Sequence, residues 1–425
     1  MSKKKKKWIY PRHQVVRNLL YLVMYPYCRL KFGVKIERMK DQQNRPYLIL
    51  LNHQMVFDQF FVGMAFKGPI YYVATEDIFS LGWISSLIRY LIAPIPIKKQ
   101  TTDVQAVRTC YKVAKEGGTI AIAPEGNRTY SGKTEYMNPA IAALAKTLNL
   151  PIAFFRIEGG YGVQPRWCDK ARRGKMRAYF SRVIMPEEYK EWSNDDLYQV
   201  IQKELYVNEA KVTTNYYHRK NAEYMERLFY VCPHCGLTIF ESRGDKVQCM
   251  KCGKKVQYLP TKELKGVDHY FPFRFINDWY EYQKDFVNCM ELEEYLESPM
   301  YEEFASLYEV IVYKKKNLIK KCADIKLYSD RVILDGKEFP FEEITAASVL
   351  GRNKLNIYHD KKVYQLKGNK RFNAIKYVHM YYRYKNVSRG EEHEQFLGLY
   401  CIGLAQRYGV VIPKLVGGQC NEKEN

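Results

Sequence analysis

The sequence predicts an α/β protein with a mixed, largely parallel sheet flanked by helices, followed by a small cysteine module and a C-terminal mainly-β domain with a closing helix. Three observations carry that expectation. Apolar runs of strand length alternate with helical patterns from about residue 47 to 205, two Cys-x-x-Cys units lie within residues 232–252, and short alternating segments recur from about Leu307. Strands separated by helices imply a layered fold, because each crossover helix lets the next strand run parallel to the last.

Taken in order, "YLILLNH" reads as a strand and "QMVFDQFFVGMAF" as a helix. "GPIYYVAT" is a second strand, and "SSLIRYLIAPIPI" passes from helix to strand. "DVQAVRTCYKVAKEGG" is an amphipathic helix stopped by Gly117 and Gly118, "TIAIAPEG" is another buried strand, and "NPAIAALAKTLNLPIAFFRI" repeats helix and strand. Past the cysteines, "FINDWYEYQKDFV" is helical. "YEVIVYK", "ADIKLY", "RVIL", "ITAASVL", "KLNIYH" and "KVYQLK" read as strands with turns at "DGKE" and "HDKK", and "RFNAIKYVHMYYRYK" as the closing helix. The expected units are a basic tail and interfacial helix (1–26), an α/β domain (27–225), the cysteine module (226–262), a helical connector (263–306) and the mainly-β region (307–425). On topology alone, that last region resembles a pleckstrin-homology-like module, with an unrelated small β domain as the alternative.

Apolar residues make up 47% of the 425 positions and aromatics 15%, which describes a globular chain rather than a disordered one. Sixty-eight Lys and Arg against 46 Asp and Glu leave a net charge of +22. Such a balance suits a polyanionic partner, either nucleic acid or anionic lipid. The eleven cysteines are odd in number and the N-terminal segment lacks a small-residue cleavage site, so reduced, cytosolic thiols are expected. About fourteen residues separate Pro11 from Pro26, roughly 21 Å of helix against the ~30 Å of a bilayer core. This segment is expected to lie in the interface, with Trp8, Tyr10, Tyr21 and Tyr25 at headgroup level and Lys3 to Lys7 toward an anionic leaflet.

Two short stretches carry the chemistry. In "LILLNHQMVFDQF" an apolar strand stops at Asn52, His53 follows, and Asp58 comes five positions later. On one helix, five positions at about 100° each would turn Asp58 roughly 140° away from His53, so the pair meets only if the chain breaks near Asn52. A carboxylate on one ring nitrogen fixes the tautomer and frees the other nitrogen as a base. In "AIAPEGNRTYSGK" a second buried strand ends at a turn displaying Glu125, Gly126, Asn127 and Arg128. Arg128 offers a planar fork suited to phosphate, Glu125 can orient it or bind a hydroxyl, and Gly126 permits close backbone approach.

Together "NHQMVFD" and "PEGNR" resemble the H-x-x-x-x-D and P-E-G-T-R boxes of the glycerolipid acyltransferase family, which includes 1-acyl-sn-glycerol-3-phosphate acyltransferases. "IAPIPIKK" is similar to the family's I-P-V-D-R block and "LPIAFFRI" to its late hydrophobic strand, so the resemblance spans roughly residues 15 to 205. It implies the glycerolipid acyltransferase fold and a direct transfer without an acyl-enzyme. His53 would be the general base on the hydroxyl of a lysophospholipid acceptor, with Asp58 holding the ring. Glu125, Gly126, Asn127, Arg128 and Lys99 would bind the acceptor, and acyl-CoA or acyl carrier protein would be the acyl thioester donor. The implied product from 1-acylglycerol 3-phosphate is phosphatidate. An anionic membrane surface would be the partner, reached from the cytoplasmic face by a peripheral or monotopic protein. Asn127 stands where Thr is usual, Lys98 and Lys99 where Asp and Arg are common, and Phe154 where a second proline is common, which puts the identity of the acceptor in doubt.

Cys232 and Cys235, then Cys249 and Cys252, form two Cys-x-x-Cys knuckles thirteen residues apart, each followed by Gly, at 236 and 253. Four thiolates at this spacing match a structural zinc ribbon, in which protein fills every coordination position. A zinc ribbon with excess Lys, Arg and Tyr also suits a nucleic-acid-binding protein. That alternative has no use for His53, Asp58 and the PEGNR turn. A catalytically silent lipid-binding relative stays open.

Overall fold

The computed structural model of the protein describes residues 7–97, 103–311, 314–388 and 390. Its first half runs α1 (Pro11–Phe32), β1 (Val34–Ile36), β2 (Leu48–Leu51), α2 (Asp58–Ala65), β3 (Ile70–Thr75), α3 (Trp83–Ile92), β4 (Ile95–Ile97), α4 (Val104–Lys115) and β5 (Thr119–Ile122). It continues through α5 (Ala140–Leu148), β6 (Ile152–Glu158), α6 (Gly160–Val163), β7 (Met176–Ile184), α7 (Pro186–Tyr189) and α8 (Asn194–Leu205). The seven strands make one sheet in the order β1-β7-β6-β2-β5-β3-β4, in which every neighbouring pair except β6–β7 is parallel.

The run LILL is apolar throughout because β2 is central and covered on both faces. Ile49 and Leu51 join a core with Phe61 and Val62 of α2 and Cys28 and Phe32 of α1. Leu48 and Leu50 join the opposite core with Val113 of α4, Ala142 of α5 and Leu197 of α8. The expected α/β layers are the observed ones.

Helix α1 departs from its expected limits. It runs through Pro26 to Phe32, where Gly33 closes it at φ 63°, so the boundary placed at 26/27 falls inside one helix. Proline removes one backbone donor, and the Leu22 carbonyl that loses this partner sits on the exposed side. Among the described residues no helix is long and apolar enough to cross a membrane.

The second half runs β8 (Val231–Cys232), β9 (Gly236–Leu237), β10 (Phe240–Arg243), β11 (Lys246–Cys249), β12 (Lys255–Tyr258), β13 (Leu264–Val267) and α9 (Ile276–Cys289). Then come β14 (Tyr301–Glu309), β15 (Asn317–Leu327), β16 (Arg331–Leu334), β17 (Lys337–Pro340), β18 (Ala346–Leu350), β19 (Lys354–His359), β20 (Lys362–Lys367) and α10 (Ile375–Arg383). The last seven strands form an antiparallel sheet in the order β17-β16-β15-β14-β20-β19-β18, with α10 after it as the expected closing helix. Strand β14 starts at Tyr301, ahead of the 306/307 boundary, and β17 is an additional strand.

The cysteine module is not a separate bead. Cys232, Phe240, Val247 and Cys249 share one core with Trp279 of α9 and with Ile325, Leu355 and Tyr381 of the C-terminal domain. Trp279 stacks on Phe229 with ring centroids 3.7 Å apart and donates its indole N–H to the Val231 carbonyl at 2.9 Å. Eight described cysteines carry free thiols.

Candidate active site

Strand register brings the two chemical stretches together. Leu48 pairs with Ile120 and Leu50 with Ile122 across the parallel strands β2 and β5, so residues 72 apart lie level. Carried three positions beyond Ile122 and Leu50, that offset sets Glu125 beside His53. Glu125 Oε1 accepts the His53 backbone N–H at 2.7 Å, while Oε2 accepts that of Glu135 at 2.9 Å. Both turns therefore emerge at the carboxyl edge of the sheet, where open α/β folds place ligands.

The chain breaks where the sequence reading put it. β2 ends at Leu51, α2 begins at Asp58, and between them His53 Nδ1 donates to Asp58 Oδ2 at 2.8 Å. Asp58 also accepts from the backbone N–H groups of Gln54, at 2.7 Å, and Met55, at 2.9 Å to the same oxygen. With the carboxylate 1% exposed and thus locked, the 26%-exposed imidazole has a fixed tautomer whose Nε2 lone pair is left for a substrate proton. Burial lowers the His53 pKa, opposed by Asp58 and reinforced by the Arg128 and Arg166 cations. The ring is accordingly neutral, the form a base requires.

The His53 backbone is clamped as well. Thr129 N donates to its carbonyl at 3.0 Å, and Asn52 makes a paired contact with the Ile157 backbone at 2.9 and 2.8 Å, tying the end of β2 to β6. Glu125 is 4% exposed, and burial raises its pKa well above the ordinary range, with the two amide bonds working the other way. Each oxygen accepts one backbone amide, and through the His53 amide Glu125 holds the backbone of the imidazole-bearing residue.

In the rest of the turn Gly126 is exposed, whereas Asn127 and Arg128 are half-buried. Gly126 has φ 62° with open space around its Cα, so a side chain there would be strained by the backbone rather than by crowding. Arg128 Nη2 donates to the Gly351 carbonyl at 3.1 Å. Asn127 Oδ1 is 3.4 Å from Arg166 Nη1. Burial first, then Arg166 and Arg352, lower the Arg128 pKa. Lys99 lies outside the described residues, as do Lys98 and Lys3 to Lys6.

Sequence reasoning missed Thr129, Glu135 and Arg166. Thr129 follows the PEGNR stretch directly, and Arg166 is a lone cation within "YGVQPRW", so each left a faint signal whose meaning depends on long-range packing.

The four expected metal ligands converge: the Sγ atoms of Cys232, Cys235, Cys249 and Cys252 all lie within 4.8 Å of one another. Cys232 and Cys252 are 3.8 Å apart and Cys235 and Cys249 3.5 Å. Tetrahedral thiolates about 2.3 Å from a zinc ion would be about 3.8 Å apart, so the set fits. Gly236 at φ 78° and Gly253 at φ 74° make the two knuckle turns.

Comparison with known proteins finds similarity within the first half of the chain. Residues 33–157 match the family model described as Acyltransferase, a stretch that holds His53, Asp58 and the 125–128 turn. That stretch is similar to acyltransferase-family domains and to 1-acyl-sn-glycerol-3-phosphate acyltransferases. The chain is 27% identical over 119 residues to the 1-acyl-sn-glycerol-3-phosphate acyltransferase of Bacillus subtilis (strain 168), covering 25% of this chain and 58% of that relative. The crystal structure of the 1-acyl-sn-glycerophosphate (LPA) acyltransferase PlsC from Thermotoga maritima aligns with a TM-score of 0.39 at 19% identity, over 45% of this chain and 77% of that one.

Proposed function

We propose that the protein is a membrane-peripheral O-acyltransferase that moves a fatty acyl group from an acyl thioester, carried by CoA or acyl carrier protein, to the hydroxyl of a lysophospholipid. The preferred acceptor is 1-acylglycerol 3-phosphate, giving phosphatidate. The observation that carries this reading is the contact of His53 Nδ1 with Asp58 at 2.8 Å, which turns Nε2 to the substrate at the sheet edge shared with Arg128. His53 Nε2 takes the acceptor's hydroxyl proton as the oxygen attacks the thioester carbonyl. The tetrahedral intermediate collapses with loss of thiolate, and His53 returns the proton to that sulfur. Arg128 holds the acceptor phosphate, with Gly126 keeping the turn open. Lys99 is proposed to add a point charge there.

Membrane attachment is supported by two helices. Arg12 Nε of α1 donates to the Tyr90 carbonyl at 2.9 Å and Arg17 Nη2 to Gly63 at 3.1 Å, so polar groups tie α1 to its own domain. Its apolar residues Leu19, Leu22, Val23 and Leu30 point to solvent, Leu30 at 88% exposure, and Trp83 of α3 is 75% exposed. An apolar face turned outward and edged by arginines suits an anionic lipid surface at the cytoplasmic face better than nucleic acid. Cys232, Cys235, Cys249 and Cys252 are proposed to hold one structural zinc ion. The strand order of the C-terminal sheet, four consecutive strands joined to three, agrees with a pleckstrin-homology-like module.

The test is to supply purified protein with lysophosphatidate and labelled acyl-CoA or acyl carrier protein. Labelled phosphatidate is the expected product; its absence with every donor would overturn the reading.

A further inference from the structure

The turn between β18 and β19 carries Gly351, Arg352 and Asn353, and it reaches the Arg128 turn from 223 residues further along the chain. The Gly351 carbonyl accepts from Arg128 Nη2 and from Arg166 Nε, both at 3.1 Å. Arg166 is 3% exposed, and its other donors reach the Val349 carbonyl at 2.8 Å and the Arg128 carbonyl at 2.9 Å. Its guanidinium lies 3.9 Å from the centre of the Tyr130 ring. One side chain thus bonds the backbone of both domains where the 125–128 turn ends. Among the described residues, neither Arg128 nor Arg166 has a carboxylate in ion-pair contact. Arg352 Nη1 is 3.5 Å from Asp169, which Arg227 already holds at 2.7 Å, and Arg352 Nε is buried without a hydrogen-bond partner. Cations gathered with so little counter-charge form a standing attraction for a dianion, and paired guanidinium forks match phosphate geometry.

We infer that the C-terminal domain completes the acceptor site: the Gly351 carbonyl orients Arg128, Arg166 is the positioning residue that pins this turn, and Arg352 supplies a second guanidinium to the acceptor's phosphate. The inference rests on the acyl-transfer reading and extends it to headgroup choice. Selection of phosphorylated acceptors becomes a property of the joint between the domains.

The test compares full-length wild type with Arg352→Ala on 1-acylglycerol 3-phosphate and on 1-monoacylglycerol, which lacks the phosphate. The expected result is a KM for the phosphorylated acceptor raised about tenfold, kcat within about twofold, and no change on monoacylglycerol. An unchanged KM, or an equal loss on both acceptors, would overturn it. Arg352→Gln serves as a second variant should the alanine fail to fold. A readout independent of turnover is thermal stabilisation by sn-glycerol 3-phosphate, expected in wild type and reduced in Arg352→Ala. If that difference is found while no acyl transfer occurs, the anion site stands and the acyl-transfer reading falls. Equal stabilisation of the two proteins would overturn the anion site itself.

Discussion

Glu125 Oε1 and the His53 backbone N–H are 2.7 Å apart, a contact that converts the register of β2 on β5 into the position of the imidazole. Glu125→Gln keeps the shape but turns one acceptor into a donor facing an amide N–H. Leaving a buried donor unmatched costs about 1–3 kcal/mol, so a lower Tm and a lower kcat are expected, with KM for the acceptor nearly constant. A variant with normal Tm and raised KM would return Glu125 to direct substrate contact.

The pH profile follows from His53, whose pKa is lowered chiefly by burial. A base must be unprotonated, so kcat/KM should climb through a pH below the ordinary histidine value of about 6.5 and be level at neutrality. The linkage has the matching sign: a lowered folded pKa contributes stability that is full above the unfolded value and is lost as pH falls through the folded one. Asp58→Asn removes the partner that raises the pKa, so the acid limb should move lower still while kcat drops about 10²- to 10⁴-fold. An acid limb that moves upward, or an unchanged kcat, would contradict the role given to Asp58.

Metal analysis should find about one zinc ion per chain. Because Cys232 and Cys249 share a core with α9 and the C-terminal sheet, chelation or Cys249→Ser should lower the Tm of the second half as well as release the ion. A fully folded, metal-free protein would contradict the zinc assignment.

Trp83 and Leu87 of α3 are exposed and contribute to none of the described cores. Trp83→Ala and Leu87→Glu should each weaken binding to anionic liposomes by roughly fivefold or more at unchanged Tm. Unaltered liposome binding would count against α3 as a docking element. Truncating α1 is a poorer probe, since Cys28 and Phe32 belong to the core.

How far the sequence could be read tracks the range of the interaction. The break at Asn52 and the meeting of His53 with Asp58 are local, decided by five residues and the geometry of a helix. The parallel strands announced themselves as apolar runs because both faces of β2 are covered. Strand β15 was only half visible, as Asn317–Cys322 is exposed and carries no alternation. Pro26 predicts the end of α1 from sequence, yet its lost hydrogen bond falls on a solvent-facing turn and the helix continues to Phe32. The two arginines are visible in the sequence, but their joint with Gly351 is not, since a backbone carbonyl carries no sequence signature.

The central claim is that His53 is the base of an acyl transfer, and the direct measurement is kcat of His53→Ala against wild type with lysophosphatidate and the preferred acyl donor. The account predicts a loss of about 10²- to 10⁴-fold with the fold retained. A folded variant that transfers acyl groups at the wild-type rate would contradict it.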